Sequence, residues 1–431
     1  MRKVLFVLLV LLIALPMVFA GGGSQPSGAA PKASGGDGKI SGSIEVGVLP
    51  AEGTTAFTFL QDMADRLMAK YPGASIKYTF ANTKARPFME QRWRADDAPD
   101  IDYFVFNAQV PSTHEFIPKL LDLTPYLAQG GWGDTFLDSA YAVTRLDGHV
   151  YGVVTDAHLI LLFYNKKMFD QLGLTPPQTW DQLIDVGHAL QKNGIDPIAV
   201  TGMFNPYMGY WMDYAFMREV GYQASRDAIV NGTLAGNPGF LRAAQRVEQL
   251  AKDNFFLKGF QGTDFTAAQM QFFQGKTGMI LMGTWLSSEM KDSIPSDFQL
   301  GVTAFPTISG GSGSQDAVMS HNNIMSVNKN TKNLDLVLTF LKEITSVDLQ
   351  TARCAQLQQI SAVKGVPAPQ GIFGLDNAVQ NSGDRNVRNF GLEYEPTRNE
   401  AYYNAVARLF FGQTTAEGFI KEADDAMSRI H

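Results

Sequence analysis

Apolar and polar residues follow two different periods along this chain, and these periods predict its elements. Residues 56–71 carry large apolar side chains at the one-sided spacing of an amphipathic helix, namely Phe59, Leu60, Met63, Leu67 and Met68. Short apolar or alternating runs predict strands at residues 43–49, 75–80, 101–106 and 151–164. Because strands alternate with helices, the pattern predicts an α/β fold whose sheets are covered by helices.

A further helix has a start that is marked by side-chain chemistry. Thr179 stands three residues before Gln182, so the two side chains are expected to form a reciprocal capping box. The helix that follows is expected to turn three aliphatic side chains inward, those of Leu183, Val186 and Leu190.

The first 39 residues have the composition of export and tether segments. Residues 1–20 combine a positive start, an apolar run at residues 4–15 and small side chains before Ala20, which predicts a cleaved signal peptide. The apolar run is shorter than the roughly 20 residues that a membrane span requires. Residues 21–39 are rich in Gly, Ser, Ala and Pro, which predicts a flexible linker. Gly21, and not a cysteine, follows the expected cleavage point, so we expect a periplasmic or extracellular protein without a lipid anchor.

The composition limits the classes of function. The length of 431 residues exceeds what one hydrophobic core usually serves, so two lobes are expected. The net charge of −7 argues against nucleic-acid binding, which needs clustered Lys and Arg. The single cysteine, Cys354, excludes an internal disulfide and any cysteine-only metal cage.

Each segment that resembles a catalytic motif lacks a required residue. Gly275-Lys276-Thr277 resembles the end of a phosphate-binding loop, but Met270 stands where that loop requires glycine. His114-Glu115 has no second histidine one helical turn later, as a zinc-protease helix would have. The sequence offers no convincing pair of opposed carboxylates for glycoside hydrolysis. We therefore expect no enzyme activity, no cofactor and no resident metal.

Five motifs in a fixed order resemble those of the extracellular solute-binding proteins of sugar ABC importers, the family of maltose-binding protein. They are WRADDAPDI at residues 93–101, LDLTPYL at 121–127, FYNKKMF with PPQTW within 163–180, GKTGM with GTW within 275–285, and YYNAV at 402–406. Each motif is weak by itself, whereas five in the right order across the mature chain are specific.

This resemblance implies a periplasmic-binding-protein fold of type II, in which two α/β lobes are joined by a hinge of crossing strands. Lobe 1 would comprise residues 40–155 and 306–347, and lobe 2 would comprise residues 160–302 and 350–431. The hinge is expected near residues 156–159, 302–306 and 346–350. The ligand would lie in the cleft between the lobes.

A sugar presents apolar C–H faces and a rim of hydroxyl groups, so its site needs aromatic rings and hydrogen-bonding side chains. Trp285 matches the family's cleft tryptophan, and Gly283 would let the backbone there approach the ligand. Tyr403 matches a stacking position, although Tyr402 is its immediate neighbour. Two more candidate rings belong to the aromatic-rich segment of lobe 2, Tyr207 and Trp211. Core packing is the alternative role for each of these rings.

The polar candidates come from the expected hinge and from strands that are expected to border the cleft. Asp156 and His158 alternate with apolar neighbours, so both are expected to point into the cleft. His321 and Asn323 belong to a polar run inside an otherwise apolar strand. Four further polar residues complete the predicted site: Asn107, Glu52, Gln359 and Ser361.

The function implied by the resemblance is capture of a mono- or oligosaccharide and its delivery to the permease subunits of an ABC importer in the membrane. A monomer is expected. Two alternatives remain open at this point. One is a binding protein for ferric ion or another small anion, for which Tyr402 and Tyr403 would supply ligands. The other is a secreted glycosidase.

Overall fold

A nine-stranded mixed sheet forms the centre of the fold in a computed structural model, which describes residues 40–48, 52, 54–80, 86–103, 105–382, 386–388, 390 and 396–430. The predicted signal peptide and linker lie outside the described residues. The strands are β1 (Ser41–Val48), β2 (Gly73–Phe80), β3 (Ile101–Tyr103), β4 (Arg145–Leu146), β5 (His149–Val150), β6 (Val153–Asn165), β7 (Asp196–Ala199), β8 (Thr277–Gly283), β9 (Leu300–Thr303), β10 (Val318–Val327) and β11 (Asn386–Arg388).

The α-helices cover the sheet. They are α1 (Thr55–Lys70), α2 (Arg86–Arg94), α3 (Thr124–Leu127), α4 (Asp138–Thr144), α5 (Lys166–Leu172), α6 (Trp180–Lys192), α7 (Asn205–Glu219), α8 (Tyr222–Asn231), α9 (Pro238–Lys252), α10 (Phe265–Phe273), α11 (Leu286–Glu289), α12 (Leu334–Ile344), α13 (Val347–Leu357), α14 (Leu375–Ser382), α15 (Pro396–Phe410) and α16 (Ala416–Met427). The α/β class predicted from the sequence is therefore confirmed.

The sheet order is β2-β1-β3-β10-β6-β8-β7, with β11 paired to β10 and β9 paired to β6. Strands β1, β2 and β3 run parallel, whereas β10 is antiparallel to both β3 and β6. Strand β6 is also antiparallel to β8 and β9. The long strand β6 thus joins the group of β1, β2, β3 and β10 to the group of β7, β8 and β9.

The partners of β6 change at Leu159 and Ile160. The residues up to Leu159 pair with β10, and those from Ile160 onward pair with β8. In the second part of the strand, Ile160, Leu162 and Tyr164 enter one hydrophobic cluster, while the odd-numbered residues between them enter another on the opposite face. Both faces of this part of the sheet are therefore buried, which explains its nearly continuous apolar sequence.

The structure bears out the local predictions with small shifts of boundary. Helix α1 begins after Thr54, whose side chain accepts a hydrogen bond from the backbone N–H of Phe57. Helix α6 has the reciprocal capping box of Thr179 and Gln182. Strand β3 is shorter than expected, because Val105 and Phe106 leave the sheet and pack in a separate hydrophobic cluster.

The expected hinge segments adopt different structures. Residues 156–159 lie within β6, where its partners change, whereas Ser346 caps the start of α13. The described residues between 40 and 430 form one compact unit, and the division into two lobes stays a prediction. No helix in the described part of the chain is both long and apolar enough to cross a bilayer.

Candidate functional site

Four polar side chains share one face of the sheet at the point where β6 meets β10. Asp156 pairs with Asn323 across the two strands, and His158 pairs with His321. Because residues two apart in a strand face the same way, and paired residues share a face, all four side chains lie together. The polar run in β10 therefore meets the polar alternation in β6.

Asp156 is the buried anchor of this group. Its Oδ2 accepts hydrogen bonds from the hydroxyl of Tyr103 at 2.7 Å and from Nδ2 of Asn323 at 2.9 Å. The guanidinium of Arg353 forms an ion pair with the same carboxylate and also donates to the carbonyl oxygen of Thr155 at 2.9 Å. These partners occupy the carboxylate, so Asp156 positions its neighbours within the protein.

The hydrogen bonds around His158 fix which of its ring nitrogens carries the proton. Nδ2 of Asn323 lies 3.3 Å from Nε2 of His158 and can only donate, so Nε2 accepts. The proton is therefore on Nδ1, which lies 3.4 Å from the hydroxyl oxygen of Thr284. Burial lowers the pKa of His158 to about 4, so the ring is neutral at pH 7.

Two aromatic rings from separate elements, those of Trp285 and Tyr207, lie beside the two imidazoles of this polar face. We call Trp285, Tyr207, His158 and His321 the aromatic–imidazole cluster. The indole of Trp285 meets His158 edge-on at 5.4 Å between ring centroids and His321 at 5.9 Å. Tyr207, in the first turn of α7, stacks against the same indole at 6.5 Å with 30° between the planes. Trp285 is half-buried.

Two buried side-chain amide oxygens beside this cluster have no hydrogen-bond partner among the described residues, namely Oδ1 of Asn323 and Oε1 of Gln359. Gln359 precedes Ile360, which forms a β-bridge with Ala157 between Asp156 and His158. A buried polar group without a partner is costly, and two free acceptor oxygens suit a molecule that carries hydroxyl groups.

The structure does not bring Tyr403 and Trp211 to this cluster. Trp211 is 1% exposed and packs edge-on against Phe305, and Tyr403 is 2% exposed. Tyr402 and Tyr403 each donate a hydrogen bond of 3.0 Å to a different oxygen of Asp213. Burial raises the pKa of this carboxyl group to about 8. Sequence spacing could not decide these positions, because α7 and α15 bear aromatic side chains on several faces.

The other predicted polar residues have local roles or are exposed. Oδ1 of Asn107 accepts from the backbone N–H of Gln109, which is a turn contact. Ser361 donates to Oε1 of Gln350 at 2.7 Å and accepts from the N–H of Val363. Glu52 is exposed.

Several residues of the site escaped the sequence analysis. Tyr103 and Arg353 hold Asp156, and Thr284 holds His158. Tyr103 lies inside the strand predicted at residues 101–106, but no sequence pattern indicated that it would contact Asp156. Arg353 gave no comparable signal, since a charged residue in a helix is usually solvated.

The described residues contain no group of three His, Cys, Asp or Glu side chains that could hold a metal ion. A groove of about 750 Å³ lies elsewhere, lined by the end of α9, residues 256–261 and residues 409–415. It includes no residue of the aromatic–imidazole cluster.

Comparison with known proteins gives one family. The sequence profile described as bacterial extracellular solute-binding protein matches residues 51–351. The multiple sugar-binding protein of Streptococcus mutans is 24% identical over 271 residues, which are 58% of this chain and 61% of that relative. The diacetylchitobiose binding protein NgcE of Streptomyces coelicolor is 27% identical over 182 residues, 42% of this chain and 35% of its own length. The matches thus span less than two thirds of these relatives.

Solved structures extend the similarity to nearly the whole chain. A structure from work on xylan utilization by Caldanaerobius polysaccharolyticus superposes with a TM-score of 0.78 at 23% identity. The superposition covers 90% of this chain and 100% of the chain in that structure. The type II fold expected from the sequence is thereby confirmed.

Proposed function

The chain belongs to the bacterial extracellular solute-binding protein family, and we propose that it is the carbohydrate-binding component of an ABC importer. It captures a saccharide at the aromatic–imidazole cluster and delivers it to permease subunits in a membrane. The relatives' names, which refer to sugars and to diacetylchitobiose, support a saccharide as the ligand class.

One observation carries the proposal. The indole of Trp285, against which Tyr207 stacks, meets the ring of His158. The imidazole of His158 accepts from the amide of Asn323, whose Oδ1 has no partner among the described residues. An aromatic face suits the C–H surface of a pyranose, and the amide oxygen can accept from a hydroxyl group. The neutral imidazole of His158 orients the amide of Asn323 without the cost of a buried charge.

Binding rather than turnover fits the state of Asp156. A glycosidase needs two carboxyl groups that face one another across the scissile bond. The carboxylate of Asp156 is occupied by Arg353, Tyr103 and Asn323. The phenols of Tyr402 and Tyr403 are likewise committed to Asp213, which argues against their use in capturing ferric ion.

The mechanism that we propose is closure about a hinge. Lobe 1, of residues 40–155 and 306–347, and lobe 2, of residues 160–302 and 350–431, would rotate about the part of β6 near His158. The ligand would stabilise the closed form through contacts with both lobes, and the permease would recognise that form. The protein would act as a monomer after export and cleavage of residues 1–20.

Isothermal titration calorimetry and thermal shift over a broad saccharide panel test this function. We expect at least one sugar to bind with a Kd near 1 µM, about −8 kcal/mol, and to raise the Tm. Trp285→Ala should abolish the heat, whereas Phe373→Ala, which removes an exposed ring outside the cluster, should leave it unchanged. Absence of heat and of a Tm shift for every sugar would refute the proposal.

A further inference from the structure

A carboxylate lies one helical turn after Trp285. The backbone N–H of Glu289 donates to the carbonyl oxygen of Trp285 at 2.9 Å, which closes the turn of α11. Residues four apart on a helix are neighbours on its surface, so the side chains of Trp285 and Glu289 project from the same face. Glu289 therefore belongs to the surroundings of the aromatic–imidazole cluster.

A second contact joins Glu289 to the neighbourhood of Tyr207. Oε2 of Glu289 accepts a hydrogen bond of 3.0 Å from Nε2 of Gln269 in α10. Gln269 lies one turn after Phe265, whose ring meets that of Tyr207 at 6.2 Å between centroids. Burial, and after it the charge of Glu289, raise the pKa of the Tyr207 phenol. Two separate helices thus bring Glu289 close to the same rings.

The negative charge of Glu289 has no counter-charge in the described part of the chain. Its carboxylate accepts from Gln269, and no basic side chain described there forms an ion pair with it. Lys291, two residues later, donates instead to the carbonyl oxygen of Gln356 at 2.7 Å. Glu289 is exposed to solvent, yet the protein atoms packed around it raise the pKa of its carboxyl group through burial. The carboxylate therefore faces solvent from a partly enclosed position.

The free hydrogen-bonding groups near this carboxylate are acceptors. Gln269 is fully buried, and Oε1 of its amide has no partner among the described residues. Because Nε2 of the same amide donates to Glu289, this oxygen lies beside the carboxylate as a second acceptor. The amide oxygens of Asn323 and Gln359 are further free acceptors beside the cluster. A ligand that satisfies these atoms must bring hydrogen-bond donors.

All of these features attract a positively charged donor. Carboxylate and amide oxygens accept from N–H groups, and the faces of Trp285 and Tyr207 attract cations through their π electrons. An ammonium group has three donor hydrogens and no acceptor, whereas a hydroxyl group adds an acceptor and carries no charge. The imidazole of His158 is neutral, so it does not repel a cation.

We propose that the saccharide carries a positively charged amino group, which binds the carboxylate of Glu289 beside the rings of Trp285 and Tyr207. This inference rests on the proposed function and specifies its substrate class as amino sugars. Glu289 thereby determines specificity, because a neutral sugar leaves its carboxylate without a counter-charge.

Calorimetry at pH 7 with matched pairs of sugars tests this inference: glucosamine with N-acetylglucosamine, galactosamine with galactose, and chitobiose with its neutral form diacetylchitobiose. In the pair that binds, we expect the amino sugar to have a Kd about tenfold lower than its neutral counterpart. Glu289→Gln keeps the shape of the side chain and removes its charge. It should raise the Kd of the amino sugar about tenfold and leave that of the neutral sugar unchanged.

Two controls accompany these titrations. Asp292→Asn removes the same charge at an exposed position outside the cluster, and it should change neither Kd. Ethanolamine presents an ammonium group without a sugar ring and should give no heat. Higher ionic strength should weaken binding of the amino sugar and not that of its neutral counterpart, because salt screens a partly exposed ion pair.

The outcomes separate this inference from the proposed function. If no sugar of these pairs or of the broad panel binds, the proposed function fails and this inference fails with it. If sugars bind but the amino sugar has no advantage, or if Glu289→Gln leaves that advantage intact, only the amino-sugar inference is overturned. Binding of ethanolamine as tight as that of the amino sugar would also overturn it.

Discussion

The indole of Trp285 lies against the backbone of Gly283, so closely that a Cβ atom at residue 283 would stand 2.2 Å from its ring carbon Cε3. The sequence suggested that this glycine leaves room for the ligand. In the structure it leaves room for the tryptophan itself, and so sets the position of the ring that meets His158 and His321.

The first prediction concerns this contact. In Gly283→Ala the indole must move, since the methyl group would overlap the ring and the glycine is otherwise in backbone geometry that alanine can adopt. We expect sugar affinity to fall by about tenfold or more, with a smaller effect on Tm. Calorimetry and thermal melting measure the two effects, and an unchanged Kd would show that the indole position does not matter for binding.

A second prediction addresses the ion pair between Asp156 and Arg353. Asp156→Ala leaves the buried guanidinium without its carboxylate, so the free energy of unfolding should fall by about 3–5 kcal/mol. The double variant Asp156→Leu with Arg353→Met should recover much of this loss, because no unpaired charge remains. Denaturant titration measures both, and equal stability of the single variant and the wild type would contradict the anchoring role.

The third prediction follows from the neutral state of His158. Its pKa is about 4 in the folded protein, against about 6.5 in an unfolded chain. Between these pH values the unfolded state binds more protons, so stability should fall as the pH decreases from 6.5 to 4. His158→Gln should flatten this part of the stability profile, whereas His188→Gln, at an exposed position, should not. Identical profiles for the two variants would count against a neutral buried ring.

Asp213 leads to a fourth prediction with the opposite slope. Burial raises the pKa of its carboxyl group to about 8, against about 4 when unfolded. The folded state therefore retains a proton that the unfolded state has lost, and stability should decrease as the pH rises from 4 to 8. Asp213→Asn should be less sensitive to pH in this window, with exposed Asp185→Asn as the control. A wild-type profile in the Asp213→Asn variant would refute the assignment.

The sequence predicted those parts of the site that depend on strand alternation. Alternation predicts that Asp156 and His158, in the expected hinge, point into the cleft, and the polar run with His321 and Asn323 predicts a second contribution from another strand. Their convergence required only that β6 and β10 pair, which they do in antiparallel register. The candidate tryptophan was found through the order of neighbouring motifs and not through its own chemistry.

Helical aromatic residues were harder to place. Helix α7 is buried on nearly all sides, so its apolar residues show no one-sided spacing that would distinguish Trp211 in the core from Tyr207 at the site. Arg353 reaches Asp156 through contacts between segments that are far apart in sequence. Such contacts leave no local pattern to read.

A crystal structure of the protein with the saccharide that gives the largest thermal shift tests the central claim most directly. We predict a sugar ring in van der Waals contact with Trp285 and Tyr207, and a sugar hydroxyl within hydrogen-bond distance of Oδ1 of Asn323. A sugar bound instead in the groove between α9 and residues 409–415, with these three side chains untouched, would contradict the account.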